Sequence, residues 1–493
     1  MLNVVRKLVI VICAASLAWQ PVALAQPVGI PSIGVTSSSD LSPSLERLLG
    51  DAIMEQGRRD PDYISDPDVS QYLTSVGRKL ARYAPGAASQ KITVFALRDK
   101  QINAFALPGG YIGINSGLIA ATESESELAS VIAHEVAHVM QRHIARGMTQ
   151  SSQSGHIMLA TIAGALLAAL AGSGDLAMGV AAFGQAAAID RQLGFSRQAE
   201  QEADRIGLEM MRKAGFDPRG MLNMFSRLSR SASLNEGMGG SVYARTHPLS
   251  TQRMSDIEGR VGQAAVNHKD NVTYWFIRAK LLALQSRNSQ EQTRAAEILQ
   301  RETGSSNNMQ RNAANYGLAY LSFIQKKPEK ATEFINNISA SNGSIAQVDE
   351  LKILLALDAD NNKHALDLAT IAWRNWPSSQ SIALTYVRAL QRNNNDNEAI
   401  RFLESRIKQW PDMAELYQRM AFSLDRQGRG IEARRSMATY YELTGALPTA
   451  VEHLTQARNM TDDFYVKSEL DVKIRELKDR LVSDRALLER FKL

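Results

Sequence analysis

Apolar and polar positions follow two different periods in the first half of the chain. Helical spacing predicts helices at 43–57, 66–83 and 122–146, and an alternating pattern predicts strands at 92–97 and 102–107. We expect the strands to form a small sheet directly before the helix at 122–146. That helix has an apolar stripe long enough to bury it, formed by Leu128, Val131, Ile132, Val136, Val139 and Met140.

The second half repeats a helical pattern with a constant period. The recurring alanines are Ala331, Ala365, Ala399 and Ala433, each 34 residues after the one before. This is the period of the tetratricopeptide helix–turn–helix repeat, in which small residues let paired helices approach closely. We predict an all-α solenoid over 268–493 that docks peptides or proteins, with a purely structural extension as the alternative. Its last, charged helix either caps the solenoid or pairs with another helix.

The first 25 residues have the pattern of a secretion signal. Arg6 and Lys7 precede an apolar run, and an Ala-Leu-Ala sequence ends at Ala25. We predict cleavage after Ala25, followed by an extended leader rich in Pro, Gly and Ser over 26–42. The single cysteine, Cys13, lies inside the signal, so the mature chain would contain none.

Composition and charge exclude some partners. Removing Arg6 and Lys7 takes two positive charges from the formal net charge of +5 and leaves +3, and no basic run follows. We therefore expect no binding to nucleic acid. The stretch at 156–172 is rich in Ala, Leu and Gly. It is either a buried helical hairpin or a peripheral contact with a membrane, and a full span is the least favoured interpretation.

Residues 134–138 read His-Glu-Val-Ala-His and lie inside the helix predicted at 122–146. Histidines four residues apart share one helix face, so His134 and His138 can bind the same metal ion, with Glu135 beside the open position as general base. An ordinary helix with two histidines is the alternative. However, burying these polar groups is costly unless they share a partner such as a metal. We predict one Zn²⁺ per chain.

A third protein ligand is expected on a second helix, because catalytic zinc sites commonly use three. Glu200 and Asp204 are four residues apart and share a face, while Glu202 points elsewhere. Glu200 can bind the metal, and Asp204 can hold a ligating histidine through its free ring nitrogen. The alternative is a solvated acidic face paired with Arg197 and Arg205.

His247 lies in a Thr-His-Pro-Leu-Ser segment after a loop rich in Gly, Ser and Met. Three roles are open for it. It stabilises the oxyanion of the tetrahedral intermediate, it occupies the fourth metal position and keeps the site latent, or it anchors the turn before Pro248.

Taken together, these motifs resemble the HtpX and CAAX-prenyl-protease type of gluzincin metallopeptidase. The His-Glu-x-x-His sequence is followed by Ser-Arg-x-x-Glu-x-x-Ala-Asp-x-x-Gly at 196–207 and Thr-His-Pro at 246–248. The resemblance covers roughly 45–262. It implies zinc ligands at His134, His138 and Glu200, a general base at Glu135 and a supporting role for Asp204. We predict an α+β zincin metalloprotease domain over 43–262, mainly α with a small β-sheet, followed by the tetratricopeptide solenoid.

The two-part architecture resembles periplasmic proteases of Gram-negative bacteria that also act as chaperones. This resemblance implies a periplasmic zinc endopeptidase that acts on unfolded or misassembled outer-membrane β-barrel proteins. It also implies contact with the barrel-assembly machinery and the lipopolysaccharide translocon. The alternative is a chaperone or assembly scaffold with a latent, mainly structural zinc site. A prenyl-protein peptidase is disfavoured because it needs a membrane-embedded chamber.

Overall fold

The computed structural model describes residues 42–85, 91–150, 195–234, 243, 246–262, 268–339 and 343–489. The predicted signal, nearly all of the leader and the apolar stretch at 156–172 lie outside these ranges. Within them, no helix combines the length and apolar content that a membrane span requires.

The first part of the chain combines eight described helices with one small sheet. The helices are α1 (Pro43–Gly57), α2 (Pro67–Ala81), α3 (Ser116–Ala121), α4 (Glu125–Met140), α5 (His143–Gln150), α6 (Arg197–Lys213), α7 (Arg219–Leu234) and α8 (Thr251–Val261). The strands are β1 (Tyr63–Ile64), β2 (Thr93–Leu97), β3 (Ala104–Leu107) and β4 (Tyr111–Asn115). Helix α1 begins where Ser42 caps it, since its hydroxyl accepts a hydrogen bond from the amide of Leu45.

The predicted sheet before the histidine-bearing helix is confirmed. Its strand order is β1-β2-β4-β3, with β2 and β4 parallel and the other two pairs antiparallel. Both predicted strands are present as β2 and β3, and each begins one or two residues later than the pattern indicated. Among the described strands, β3 lies at one edge of the sheet and pairs with β4 alone.

Helix α4 is buried along almost its whole length, as its apolar stripe predicts. Ser124 caps its start by accepting from the amide of Glu127. The predicted span of 122–146 was too long, because the backbone of Arg142 turns to φ 53° and breaks the helix after Met140. A second helix, α5, then restarts at His143. The break is therefore a tertiary feature that the apolar spacing does not reveal.

One hydrophobic core surrounds α4 and continues past residue 268. It contains Leu128, Val131, Ile132 and Val136 of the predicted stripe. It also contains side chains from the first repeat helices, such as Phe276 and Tyr316. The two predicted domains thus share a core at their junction, and the boundary between 262 and 268 stays a prediction.

The predicted all-α second half is confirmed in the described residues. Its helices are α9 (Val272–Leu284), α10 (Ser289–Glu302), α11 (Asn308–Ile324), α12 (Pro328–Asn336), α13 (Ala346–Asp358), α14 (Asn362–Asn375), α15 (Gln380–Arg392), α16 (Asp396–Gln409), α17 (Ala414–Arg426), α18 (Gly430–Leu443), α19 (Leu447–Asn459) and α20 (Phe464–Glu489). The four alanines spaced by 34 residues fall on α12, α14, α16 and α18, and all are buried. They mark the helix contacts that the repeat period predicts.

Loops of the solenoid touch α1 and α2 of the first part. The side-chain Nε2 of Gln71 donates to the backbone carbonyl of Ser378 at 2.7 Å. The side-chain Oε1 of Gln71 accepts from the backbone amide of Gln380 at 3.1 Å. Arg58 donates to the carbonyl of Leu443 at 2.9 Å. The solenoid is therefore packed against the first part rather than separated from it by a linker.

Candidate metal centre

Four potential ligand side chains from three parts of the chain meet beside the core. His134 and His138 come from α4, Glu200 from α6, and His247 from the segment that precedes α8. Each of them is at most 1% exposed. One ligand atom from each lies within 4.8 Å of the others, and we call this group the metal centre.

The distances in the metal centre fit a tetrahedral zinc ion. Bonds of about 2.0–2.1 Å in tetrahedral geometry hold neighbouring ligand atoms about 3.3 Å apart. His134 Nε2 and His138 Nε2 are 3.0 Å apart, and they lie 3.5 and 3.4 Å from the nearest Glu200 oxygen. The donor set of two imidazoles and one carboxylate is also one that zinc prefers.

The outer ring nitrogens of both histidines lie close to other polar side chains, and the Nε2 lone pairs are left for a metal. His134 Nδ1 lies 3.0 Å from Asp204 Oδ1, as the spacing of the acidic helix predicts. His138 Nδ1 lies 2.9 Å from Nδ1 of His143, a residue that the sequence analysis did not single out. Two Nε2 lone pairs at 3.0 Å repel each other unless a cation lies between them.

Asp204 and Glu200 are buried, which does not fit a solvated acidic face. Arg253 pairs with both of them: its Nε and Nη2 donate to Asp204 at 2.6 and 2.7 Å, and its Nη1 lies 2.7 Å from Glu200 Oε2. The motifs of the sequence do not single out Arg253. The one indication in the sequence is that Arg253 lies four residues before the apolar Ile257, which places both on the buried face of α8. Arg205, in contrast, pairs with Asp256 on the surface.

Glu135 lies next to the metal centre and is fully buried. Its Oε1 lies 3.5 Å from the hydroxyl of Tyr243 and 3.6 Å from His247 Nε2. Its Oε2 has no hydrogen-bond partner within the described ranges, so it can receive a proton. Tyr243 was also missed by the sequence analysis, because only the tertiary structure brings it to Glu135.

His247 enters the metal centre with its side chain. Its Nδ1 lies 2.9 Å from Glu200 Oε1 and 3.3 Å from His134 Nε2. The ring of Tyr243 stacks on it with centroids 4.7 Å apart, and the ring of Phe195 stacks on His138 at 4.0 Å. Two aromatic rings therefore close the apolar side of the site.

Burial and the local charges act in opposite directions on the acidic groups. Burial raises the pKa of Glu200, but the opposing charge of His247 helps to hold it well below 4.5. Burial also raises the pKa of Glu135 above 4.5, and the charge of His247 offsets this only in part. The site thus contains an ionised ligand carboxylate beside one that takes up protons more readily.

Comparison with known proteins finds a family model that matches this region. Residues 67–261 match the model of peptidase family M48. A Vibrio cholerae relative is 37% identical over 55% of this chain and 56% of its own length. The beta-barrel assembly-enhancing protease of Escherichia coli K12 is 28% identical over 94% of this chain and 92% of its own length.

A third relative is eukaryotic. The mitochondrial metalloendopeptidase OMA1 of Schizosaccharomyces pombe is 33% identical over 41% of this chain, and the match spans 56% of that relative. OMA1 is thus a metalloendopeptidase by name, whereas the Escherichia coli relative, whose match covers 94% of this chain, is by name a protease that enhances beta-barrel assembly.

Proposed function

We propose that this chain, which carries a metallopeptidase domain of peptidase family M48 at residues 67–261, is a periplasmic zinc endopeptidase. It degrades misassembled outer-membrane β-barrel proteins and assists their assembly. The observation that carries the proposal is the convergence of His134, His138 and Glu200 within 3.5 Å of one another, with Glu135 beside them.

In this proposal, the chain's own residues position the metal and move the proton. His134, His138 and Glu200 hold zinc, and Asp204 orients the ring of His134. When bound, zinc activates a water molecule and polarises the scissile carbonyl. Glu135 accepts a proton from the attacking water and passes it to the leaving amine. Its raised pKa suits a carboxylate that must hold a proton between these two steps.

His247 keeps the site latent in the proposed function. Its Nδ1 lies within ligand distance of Glu200 and His134, so it fills the position that a substrate carbonyl would need. Withdrawal of the His247 ring from the metal centre would free that position. Under this proposal His247→Ala raises peptidase activity. A fall in activity would favour the oxyanion role, and no change would favour a role in the turn before Pro248.

The repeats bring clients or assembly factors to the peptidase domain. This part of the proposal rests on the solenoid and on the Escherichia coli relative, whose name refers to beta-barrel assembly and whose match covers 94% of this chain. Contact with the barrel-assembly machinery and the lipopolysaccharide translocon belongs to the same proposal. Export to the periplasm predicts a mature chain that begins at Gln26, which N-terminal sequencing would test.

A scaffold with a latent zinc site is the second candidate. The observation that favours it is again His247, because a permanently filled fourth position would prevent turnover. The two functions differ in what they require of Glu135. If Glu135→Gln supports outer-membrane assembly in cells as well as the wild type does, the scaffold role dominates.

The test of the peptidase uses the purified mature chain and an unfolded protein substrate. We expect about one zinc per chain and little turnover in the latent wild type. In the active His247→Ala background, adding Glu135→Gln should lower turnover by about 100-fold or more, because general-base catalysis is lost. Glu209→Gln, on the exposed side of α6, is the matched control. Turnover that survives in Glu135→Gln would contradict the mechanism. A wild type that binds no zinc would contradict the proposed function itself.

A further inference from the structure

The two histidines of the metal centre have outer partners of different kinds. His134 Nδ1 faces a carboxylate, Asp204, at 3.0 Å. His138 Nδ1 faces another imidazole, that of His143, at 2.9 Å. His143 is itself buried, and its Nε2 lies 3.1 Å from Glu202 Oε2. A chain of three side chains thus leads from the metal centre to the surface of α6.

Glu202, the last of these three side chains, determines which nitrogen atoms of His143 and His138 donate and which accept. An ionised carboxylate only accepts, so Nε2 of His143 must carry a hydrogen for the bond to Glu202. In a neutral imidazole the other nitrogen is then an acceptor, so His143 Nδ1 receives the hydrogen of His138 Nδ1. This tautomer of His138 keeps the Nε2 lone pair directed at Glu200 and His134.

The break after α4 brings His143 to this position. In a continuous helix, residue 143 would lie five positions after His138 and about 140° around the axis, at 3.6 residues per turn. Instead Arg142 adopts φ 53°, and its Nε lies 3.1 Å from Oε2 of the buried Glu46. Positive φ is unfavourable for arginine, so this ion pair helps to hold the turn that folds α5 back under His138.

We propose that His143 is a positioning residue for the metal centre: it fixes the ring orientation and tautomer of His138, and Glu202 fixes His143 in turn. The inference rests on the proposed role of His138 as a zinc ligand. Outer partners of metal-bound histidines typically change metal affinity by about 10–100-fold when they are removed. His143 therefore does for His138 what Asp204 does for His134, with a neutral acceptor in place of an anionic one.

The experiment compares His143→Leu with His143→Asn in the full mature chain. Leucine removes the acceptor, whereas the side-chain oxygen of asparagine can take the place of Nδ1. We expect His143→Leu to bind Zn²⁺ about 10–100-fold more weakly in competition with a chromophoric chelator. We expect His143→Asn to remain close to the wild type. The visible spectrum of the Co²⁺-substituted protein should change in the leucine variant and be restored in the asparagine variant.

Two further variants distinguish the effect of the His138–His143–Glu202 hydrogen bonds from the effect of removing any carboxylate from α6. Glu202→Gln keeps an acceptor for His143 and should weaken zinc binding less than His143→Leu does. Glu209→Gln removes an exposed carboxylate from the same helix and should leave zinc affinity unchanged. The thermal unfolding of each metal-free variant shows whether the fold is intact.

The possible failures are distinguishable. If the wild type and His143→Leu bind zinc equally tightly and give the same Co²⁺ spectrum, this inference is wrong while the proposed function stands. If His143→Asn is as weak as His143→Leu, the acceptor is not what matters, and the inference is also wrong. A wild type that binds no zinc would overturn both.

Discussion

Two buried polar clusters in this chain differ in what can neutralise them. The first is the metal centre, where the imidazoles of three histidines and a carboxylate converge. The second, which we call the Lys280 cluster, consists of Lys280, Asp66, Asp68 and Glu350. The ammonium of Lys280 is fully buried and lies 2.9–3.0 Å from all three carboxylates. Here the chain provides its own cation.

The presence or absence of a cation from the chain itself distinguishes a structural cluster from one that can bind a ligand. In the Lys280 cluster a charged donor faces each carboxylate, and Ser381 donates a further hydrogen bond to Asp68 at 2.6 Å. In the metal centre, Arg253 satisfies the outer side, whereas on the inner side the nitrogens of His134 and His138 face each other at 3.0 Å. Buried polar groups require partners, so the inner side is suited to an external cation.

The Lys280 cluster also joins the two halves of the molecule. Asp66 caps α2 of the first part, Lys280 lies on α9, and Glu350 lies on α13 of the solenoid. Charges paired in this way specify one arrangement of the helices, because any other arrangement would leave a buried charge without a partner. The comparison therefore predicts that the Lys280 cluster controls stability and the metal centre controls ligand binding.

The largest expected effect is on the Lys280 cluster. Lys280→Met leaves the buried Asp68 and Glu350 and the partly buried Asp66 without their cation. It should lower the free energy of unfolding by about 3–5 kcal/mol in denaturant titrations. The control is Lys326→Met, which breaks the exposed ion pair with Asp358 and should cost at most about 1 kcal/mol. Equal costs for the two variants would contradict the structural role of Lys280.

The second prediction concerns the metal centre. Zinc at 100 times its Kd should stabilise the wild type by about 2.7 kcal/mol, because it binds only the folded state. In His138→Ala, added zinc should give no such stabilisation. Thermal unfolding with and without zinc measures both. If the variant gained as much from zinc as the wild type, His138 would not be a ligand.

The third prediction is a pH dependence of stability that Glu350 gives to the Lys280 cluster. Burial raises the pKa of Glu350 to about 8, and the charge of Lys280 offsets this only in part. A carboxyl whose pKa is higher in the folded state binds its proton more tightly there. Its contribution to stability is therefore complete below about pH 4.3, the unfolded value, and is lost as the pH rises toward 8.

Glu350→Gln tests that dependence, because glutamine cannot ionise. Between pH 5.5 and 7.5, the free energy of unfolding of the wild type should fall more steeply than that of the variant, by up to about 1.4 kcal/mol per pH unit. Denaturant titrations at several pH values measure the two slopes. Parallel slopes would mean that Glu350 does not titrate in this range.

The sequence alone determined the pairs of site residues on α4 and α6 and the repeat of the second half, because both follow from local helix geometry. The spacing of His134 and His138 places both rings on one face, whatever surrounds the helix. The same holds for Glu200 and Asp204 on α6. The period of the buried alanines is likewise local, because each repeat packs against the next in the same way. The prediction of the site residues depends on a spacing of one helical turn, and the prediction of the repeats depends on a constant period.

Only the tertiary structure decided which residues surround these features. Arg253 and Tyr243 reach the metal centre from segments more than 100 positions after α4, and nothing in the local pattern links them to it. His143 is near in sequence, but it faces His138 only because Arg142 and the distant Glu46 form the turn between them. Lys280 lies with Arg278 in an otherwise apolar stretch of α9, and its carboxylates come from two other helices and a cap. Long-range packing sets these contacts, since a buried charge is stable only where the fold brings its partner.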